Sequence, residues 1–282
     1  MFNITELEIN NFVEHVQEGY RRTYGGYKLD YAEIIGWAGG MALENIANSD
    51  ALYHNVDHTI LVTLVGQEIL RGKHLREGGV SAEDWLHYSI SLLCHDIGYV
   101  KGVCRADKPG LYATGTDAAP VKLPPGATDA ALTPYHVDRG KLFVHERFAG
   151  HKLIDVELVK QCIEPTRFPV PSQEDTKDTA SLPGLVRAAD LIGQLSDPRY
   201  LKKIPALFYE FQETGVAGKL GYHDPDDLRQ MYPKFYWNSV FPFVEEALNY
   251  LALTQTGKQV KANLYANVFT VEHEKGEGPK VV

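Results

Sequence analysis

The sequence predicts an all-α fold. Three observations favour this class: apolar residues recur at intervals of three and four along several segments, the period-two alternation typical of strands is scarce, and glycine, proline or capping residues stand at the ends of the periodic segments. The chain has 282 residues, of which 44% are hydrophobic, so it can bury a sizeable core. We therefore expect one helical domain that spans residues 1–282.

Five helices are predicted with defined bounds. Ser81 is expected to cap the second of them, because its side chain can bond to the first turn and Asp84 stands three residues further on. Gly72 and the Gly78–Gly79 pair are expected to end the first helix, and Gly257 to end the fourth. The predicted ranges are about 59–71, 81–97, 182–195, 243–254 and 258–271.

Two segments depart from this helical pattern. The segment of about 101–133 is rich in proline and glycine and has no sustained period, so we expect a long loop insertion. A loop of this length is either a tolerated surface insertion or a lid or wall over a pocket. The tail 272–282 is expected to be disordered.

Charge and targeting signals exclude several classes of protein. The formal net charge of −9 argues against non-specific nucleic-acid binding, which needs a basic surface. The first residues lack the basic and apolar regions of a secretion signal, and no apolar run is long enough to span a membrane. Three widely spaced cysteines do not suggest a disulfide framework. We expect a cytoplasmic protein that does not bind membranes; its oligomeric state stays open.

Side chains that can bind metals occur at four places on predicted helices. Residues four apart on a helix project from one face, which applies to His54 and His58. Asp190 falls among residues that should be buried, and a buried carboxylate needs a metal, a base or a hydrogen-bond network. The four places are His54 with His58, His95 with Asp96, His136 with His145 and Glu146, and Asp190.

Each of these residues, considered alone, has a simpler structural explanation. His54 and His58 could be a solvated or capping pair, and Asp190 could pair with Arg187. Taken together, they can supply three or four nitrogen and oxygen ligands to one octahedral metal. We therefore expect one or two divalent ions, Mn, Mg, Fe, Co or Zn, with water in the open positions.

The order of these motifs resembles the metal-binding signature of the HD-domain superfamily of phosphohydrolases. YHNVDH at 53–58 is also similar to the YHNxxH motif of cyclic-nucleotide phosphodiesterases, which share that helical-bundle fold. The matching positions lie between about 50 and 200. The resemblance implies that His58, His95, Asp96 and Asp190 bind the first metal, with Asp96 able to bridge to a second. It further implies that a metal-activated water attacks and that His54 is the general acid.

The resemblance is incomplete after the HD dipeptide. The phosphodiesterases have a further histidine there, and HDIGYVKG has none. His136, His145 and Glu146 are candidates to complete a second metal site. Lys101 and Arg139 are candidates to contact the phosphoryl oxygens, and Gln194 or Gln212 to bind a base. The aromatic residues between 209 and 237 either pack in the core or form a wall of the pocket.

The function expected from these residues is metal-dependent hydrolysis of a phosphodiester or phosphomonoester. The substrate would be a small phosphate-containing molecule, nucleotide-like in the family that the chain resembles. Two other functions use the same residues. One is a di-iron oxygenase on an HD fold, favoured by extra ligands at His136 and His145. The other is a catalytically silent module that binds a metal or a nucleotide and regulates another activity.

Overall fold

The structure is a computed structural model that describes residues 3–168 and 178–274. It is predominantly helical, which confirms the all-α prediction. Its α-helices are α1 (Ile4–Tyr24), α2 (Leu29–Ile46), α3 (Val56–Glu77), α4 (Ala82–Cys94), α5 (His136–Phe148), α6 (Val156–Ile163), α7 (Leu182–Leu195), α8 (Tyr200–Glu213), α9 (Val216–Leu220), α10 (Pro225–Phe235), α11 (Phe241–Leu251) and α12 (Gln255–His273). Short 3-10 turns cover Ile97–Tyr99, Asp129–Tyr135 and Glu164–Thr166, and a π-helical turn covers Tyr236–Val240.

Helices α3 and α7 form the centre of the bundle. They pack against each other more extensively than any other pair in the described ranges, and α4 and α11 pack against both. Helices α1 and α2 pair and cover α4, while α8 and α10 pack together on another side. Buried apolar side chains from Ile9 in α1 to Val271 in α12 belong to one continuous core cluster. This packing brings the start of α3 beside the second half of α7.

Local signals set several helix ends as predicted. The Ser81 side chain accepts from the Asp84 backbone N–H while the Asp84 carboxylate accepts from the Ser81 N–H, which completes a capping box. Helix α7 has the predicted bounds. Helix α4, however, ends at Cys94 rather than near residue 97, because a 3-10 turn begins directly after Asp96.

Gly78 is the C-cap of α3, as predicted, but the predictions that Gly72 and Gly257 end helices are wrong. Gly257 lies inside α12, whose N-cap is Thr254. Helix α3 continues through Gly72 to Glu77. A Cβ at position 72 would lie 2.2 Å from the Tyr250 carbonyl oxygen, so the missing side chain lets α11 approach α3. Tertiary packing explains this glycine better than helix termination does.

The proline- and glycine-rich segment 101–133 is ordered by local contacts. It contains the two-residue strands β1 (Leu111–Tyr112) and β2 (Val121–Lys122), which pair antiparallel, and most of a 3-10 turn. The Lys101 ammonium donates to the Ala127 carbonyl at 2.6 Å and lies 3.3 Å from the Asp129 carboxylate. Lys101 therefore ties the two ends of the segment together.

Arg139 is the main anchor of this segment. Its side chain is fully buried and donates five hydrogen bonds: to the carbonyls of Gly98, Val100 and Ala113 and to both carboxylate oxygens of Asp107. A guanidinium has five N–H groups, so every donor is used. Arg139 thus joins the segment to the turn that follows Asp96.

We expect Arg139→Ala to lower the free energy of unfolding by roughly 3–5 kcal/mol, since it leaves the buried Asp107 carboxylate without its counterion. Chemical denaturation measures this loss. Arg21→Ala is the matched control, because Arg21 pairs with the exposed Glu33 and its removal should cost under about 1 kcal/mol. Equal stabilities of the two variants would contradict this role of Arg139.

The prediction of a disordered tail is wrong for residues 272–274. Helix α12 runs to His273 and Glu274 is its C-cap, the Trp237 indole donates to the Glu272 carboxylate, and Arg229 pairs with Glu274. The rest of the predicted tail, 275–282, lies outside the described residues. In the described part of the chain, no helix is long and apolar enough to cross a membrane.

Candidate metal centre

Of the four predicted ligands, three lie at two helix ends and one lies within a helix. His58 lies in the first turn of α3, where its backbone N–H bonds to the side chain of Asn55, the N-cap. His95 is the C-cap of α4 and Asp96 follows it. Asp190 lies within α7. Because α3, α4 and α7 pack together, these four side chains converge.

The distances among the four side chains are short. His58 Nε2 lies 3.1 Å from Asp96 Oδ2, 3.4 Å from Asp190 Oδ1 and 3.3 Å from His95 Nε2. His95 Nε2 lies 3.1 Å from Asp96 Oδ2 and 3.6 Å from Asp190 Oδ1. Neighbouring ligands of an octahedral ion with bonds of about 2.1 Å are separated by roughly 3.0 Å. The spacing of these atoms suits one small divalent cation.

Two further features of the cluster fit a metal. The His95 Nδ1 donates to the Leu92 carbonyl at 2.7 Å, which fixes the tautomer and leaves the Nε2 lone pair for a metal. Asp96 Oδ2 is buried and accepts no hydrogen bond from the described residues, although two imidazole nitrogens stand 3.1 Å away. A buried carboxylate oxygen in this state is stabilised by a cation.

The short distances between the charged groups of the cluster shift their pKa values. Burial lowers the pKa of His95, but the Asp96 and Asp190 carboxylates outweigh burial and raise that pKa well above its ordinary value. Burial raises the pKa of Asp190, but hydrogen bonds from His58 and His95 lower it to about 2. A proton on the His95 imidazole therefore offsets the carboxylate charge, and metal binding has to displace that proton.

His54 lies at the edge of the cluster, before α3 begins, rather than on the helix as predicted. Its Nδ1 is 2.5 Å from Glu210 Oε2, and Glu210 Oε1 accepts from the backbone N–H groups of Tyr53 and His54. Its ring stacks on Tyr99 at 4.5 Å, and the other face of Tyr99 meets His136 at 4.6 Å. The three rings form one rigid wall.

The electrostatic effect of Glu210 on His54 is large. Burial lowers the pKa of His54, but the charge and hydrogen bond of Glu210 raise it to about 9. Burial raises the pKa of Glu210, and the His54 charge lowers it by more, so the carboxyl group titrates below its ordinary value. At neutral pH the metal-free protein holds His54 as the cation.

His136 belongs to the site, whereas His145 and Glu146 do not. His136 Nδ1 donates to the Thr133 carbonyl at 2.6 Å, and its Nε2 lies 3.9 Å from Asp96 Oδ1. His145 is exposed and lies nine residues along α5, about 13 Å from His136. Glu146 accepts from the backbone of Arg105. The prediction that His145 and Glu146 complete a second metal site is therefore wrong.

Two of the predicted substrate contacts are also wrong. The side chains of Lys101 and Arg139 donate hydrogen bonds to groups in or next to the segment 101–133. Neither side chain lines the cavity beside the cluster. Gln194 does line it and hydrogen-bonds to Tyr200, whereas Gln212 is exposed. Segment 101–133 was a candidate lid, yet Thr133 is its one contribution to the lining found among the described residues.

A cavity of about 460 Å³ opens from the metal-binding side chains. Its lining includes His54, Asp96, His136 and Asp190, with walls from α7, α8, α10 and α11. Three of the C-terminal aromatic residues, Phe211, Tyr232 and Phe235, belong to the wall, and Tyr236 packs in the core. Both predicted roles of these aromatic residues therefore occur.

Sequence reasoning missed Glu210 and Tyr99, and it considered Arg187 only as a partner for Asp190. Glu210 is 2% exposed and follows the buried Leu207 by three residues, so the argument that singled out Asp190 would have found it. Arg187 lines the cavity one turn before Asp190. Tyr99 carries no comparable signal, because a tyrosine in a short turn does not indicate which rings it will contact.

Gly98 sets the position of the turn after Asp96. A Cβ there would lie 1.9 Å from the His136 carbonyl oxygen and 2.7 Å from the Gly140 nitrogen, both backbone atoms that cannot move away alone.

We expect Gly98→Ala to destabilise the fold by about 2 kcal/mol or more and to weaken metal binding. Thermal unfolding and metal titration measure both effects. Gly218→Ala is the control, since nothing lies near that position; a neutral Gly98→Ala would contradict this packing.

Fold and site together define an all-α protein with a candidate metal centre of two histidines and two aspartates, extended by His54 and His136. The chain belongs to the Npun_R2479-like family, whose sequence model matches residues 2–274. No curated protein matches the chain.

Proposed function

We propose that this protein is a metal-dependent phosphohydrolase that cleaves a phosphomonoester or phosphodiester of a small substrate. The observation that carries the proposal is the convergence of the His58 and His95 Nε2 atoms with the Asp96 and Asp190 carboxylates, at 3.1–3.6 Å, on the wall of a cavity. Such a donor set suits a divalent cation that keeps open positions for water and substrate.

The ligand residues hold the ion in a defined place. His58, His95, Asp96 and Asp190 would bind it, and the Asp96 Oδ1 atom faces His136, which could help to hold a second ion. A bound cation supplies Lewis acidity and lowers the pKa of a water molecule, which makes hydroxide available near neutral pH. The protein contributes fixed ligand orientations, through the Leu92 and Thr133 carbonyls behind His95 and His136.

His54 is the residue placed to protonate the leaving oxygen. Glu210 engages Nδ1, and stacking on Tyr99 holds the ring plane, so Nε2 is the nitrogen left to donate. The side chain borders both His58 and the cavity. General-acid catalysis by a positioned imidazole contributes about 10²–10⁴-fold.

Arg187 replaces Lys101 and Arg139 as the proposed contact to the phosphoryl group. It precedes Asp190 by three residues, so both side chains lie on one face of α7, and both line the cavity. A guanidinium suits phosphate oxygens because it presents parallel N–H groups in one plane. Its position beside the candidate metal centre places its charge where negative charge develops.

A product screen tests the proposal. Protein loaded with Mn²⁺ is incubated with cyclic nucleotides, linear nucleotides, simple phosphomonoesters and a generic phosphodiester, and products are identified by mass spectrometry. We expect release of phosphate or a phosphomonoester by the wild type and none by Asp96→Ala. Absence of turnover across the panel, in protein shown to hold metal, would contradict the proposal and favour a silent regulatory module.

One observation favours a second candidate, the di-iron oxygenase. His136 adds a third imidazole near Asp96, and a histidine-rich set of nitrogen and carboxylate ligands also suits iron. Protein loaded anaerobically with Fe²⁺ would then consume oxygen when a substrate is present. Hydrolysis without oxygen uptake would decide for the phosphohydrolase.

A further inference from the structure

The cavity beside the candidate metal centre has two chemically different parts. One part carries the metal-binding side chains. The walls from α8, α10 and α11 are mainly apolar. The apolar residues there include Leu207, Phe211, Leu228, Met231, Phe235 and Phe243. With a volume of about 460 Å³, the cavity has the size of a small-molecule site and exceeds what one phosphate group of five heavy atoms needs.

The described lining of the cavity offers few cationic side chains to further phosphate groups. Besides His54, it includes two arginines and no lysine. The Arg167 guanidinium is held by the Asp138 carboxylate at 2.9 and 3.0 Å and by the Glu164 carboxylate at 2.8 and 3.0 Å. The Arg187 guanidinium stacks over the Phe243 ring at 4.1 Å, close to the phosphate position already proposed. A polyphosphate chain would therefore find few partners here.

The apolar walls are shaped by aromatic rings. Phe168 stacks on Phe211 with ring centroids 5.8 Å apart and planes 10° apart, and Phe235 meets Phe168 edge-on. Tyr232 is part of the same lining and is 2% exposed. Its hydroxyl finds no hydrogen-bond partner among the described residues. The hydroxyl oxygen is itself buried away from solvent, so these rings give the walls an apolar surface.

We propose that the substrate carries, beside its reacting phosphate, an uncharged apolar group of aromatic size. The apolar group fills the space between α8, α10 and α11. This inference rests on the proposed phosphohydrolase function for the reacting phosphate. It excludes nucleoside triphosphates as good substrates, because their added charge would enter an apolar chamber in a protein of net charge −9.

The kinetic test compares two esters with the same type of leaving group. Both 2-(2-naphthyl)ethyl phosphate and ethyl phosphate release a primary alcohol, so their intrinsic reactivities are alike. We expect kcat/KM of the Mn²⁺-loaded wild type to be at least about tenfold higher for the naphthyl ester, owing to burial of the ring. Hydrolysis of ethyl phosphate at an equal or higher rate would overturn the inference and leave the proposed function standing.

A binding test separates the inference from the proposed function. The alcohol 2-(2-naphthyl)ethanol is titrated into the metal-loaded protein, and its fluorescence reports binding. We expect Phe211→Ala to weaken binding about tenfold, while Phe269→Ala, whose ring is 60% exposed and outside the lining, leaves it unchanged. Binding with this pattern but no ester hydrolysis would refute the phosphohydrolase and support the apolar site. No binding to the wild type would overturn the inference.

Discussion

Asp96→Asn is expected to lose its bound metal and to hydrolyse phosphoesters at least about a thousand-fold more slowly than the wild type. The Asp96 carboxylate lies 3.1 Å from both the His58 and the His95 Nε2 atoms, and its side chain is 8% exposed. An amide keeps the shape of the side chain but lacks the charge that binds a cation. Metal content by mass spectrometry and turnover with the best substrate of the screen measure the two losses.

Asp57→Asn is the matched control. Asp57 directly precedes His58, but its carboxylate pairs with Arg199 at 2.6 Å and with Lys203 at 3.2 Å, outside the cluster. We expect this variant to keep its metal and its activity. If Asp96→Asn retained metal and full turnover, the assignment of Asp96 as a ligand would be refuted.

Glu210→Gln is expected to keep the metal but to lower kcat about a hundredfold. The Glu210 carboxylate holds His54 Nδ1 and raises the pKa of His54 against the effect of burial, to about 9. Glutamine removes this charge, and burial then dominates. The protonated form of His54 is lost at lower pH, so the alkaline limb of the kcat profile should move to lower pH in the variant.

His54→Gln should lower kcat by a similar factor and abolish that limb of the profile. Glu213→Gln is the control on the same helix, because Glu213 bonds to Thr128 at the surface and does not contact His54. A Glu210→Gln variant with unchanged kcat and an unchanged pH profile would show that Glu210 only stabilises the fold.

Strongly periodic segments predicted the fold well. The bounds of α7 follow from the regular apolar face of 182–195, and the start of α4 follows from the Ser81 capping box. Gly72 misled the prediction because its role depends on the distant Tyr250 carbonyl. The ordered structure of segment 101–133 was also not predicted, because it depends on a contact distant in sequence. Arg139, in α5, anchors the segment.

The sequence predicted the residues of the cluster better than those of the cavity. His58, His95, Asp96 and Asp190 were found because metal-capable side chains stood in apolar surroundings, and the structure brings these four together. The sequence placed Arg139 near the motif but did not show which groups it binds. It was therefore predicted, wrongly, to contact phosphate. The cavity walls come from four helices, and the sequence alone does not show that these helices enclose one cavity.

Anomalous diffraction from crystals grown with Mn²⁺ tests the central claim most directly. We expect a peak in the anomalous difference map within bonding distance of His58 Nε2, His95 Nε2 and the carboxylates of Asp96 and Asp190. The same crystals of Asp96→Asn should lack this peak. A fully occupied Mn²⁺ elsewhere, with these four side chains bonded only to one another, would contradict the metal centre and the function built on it.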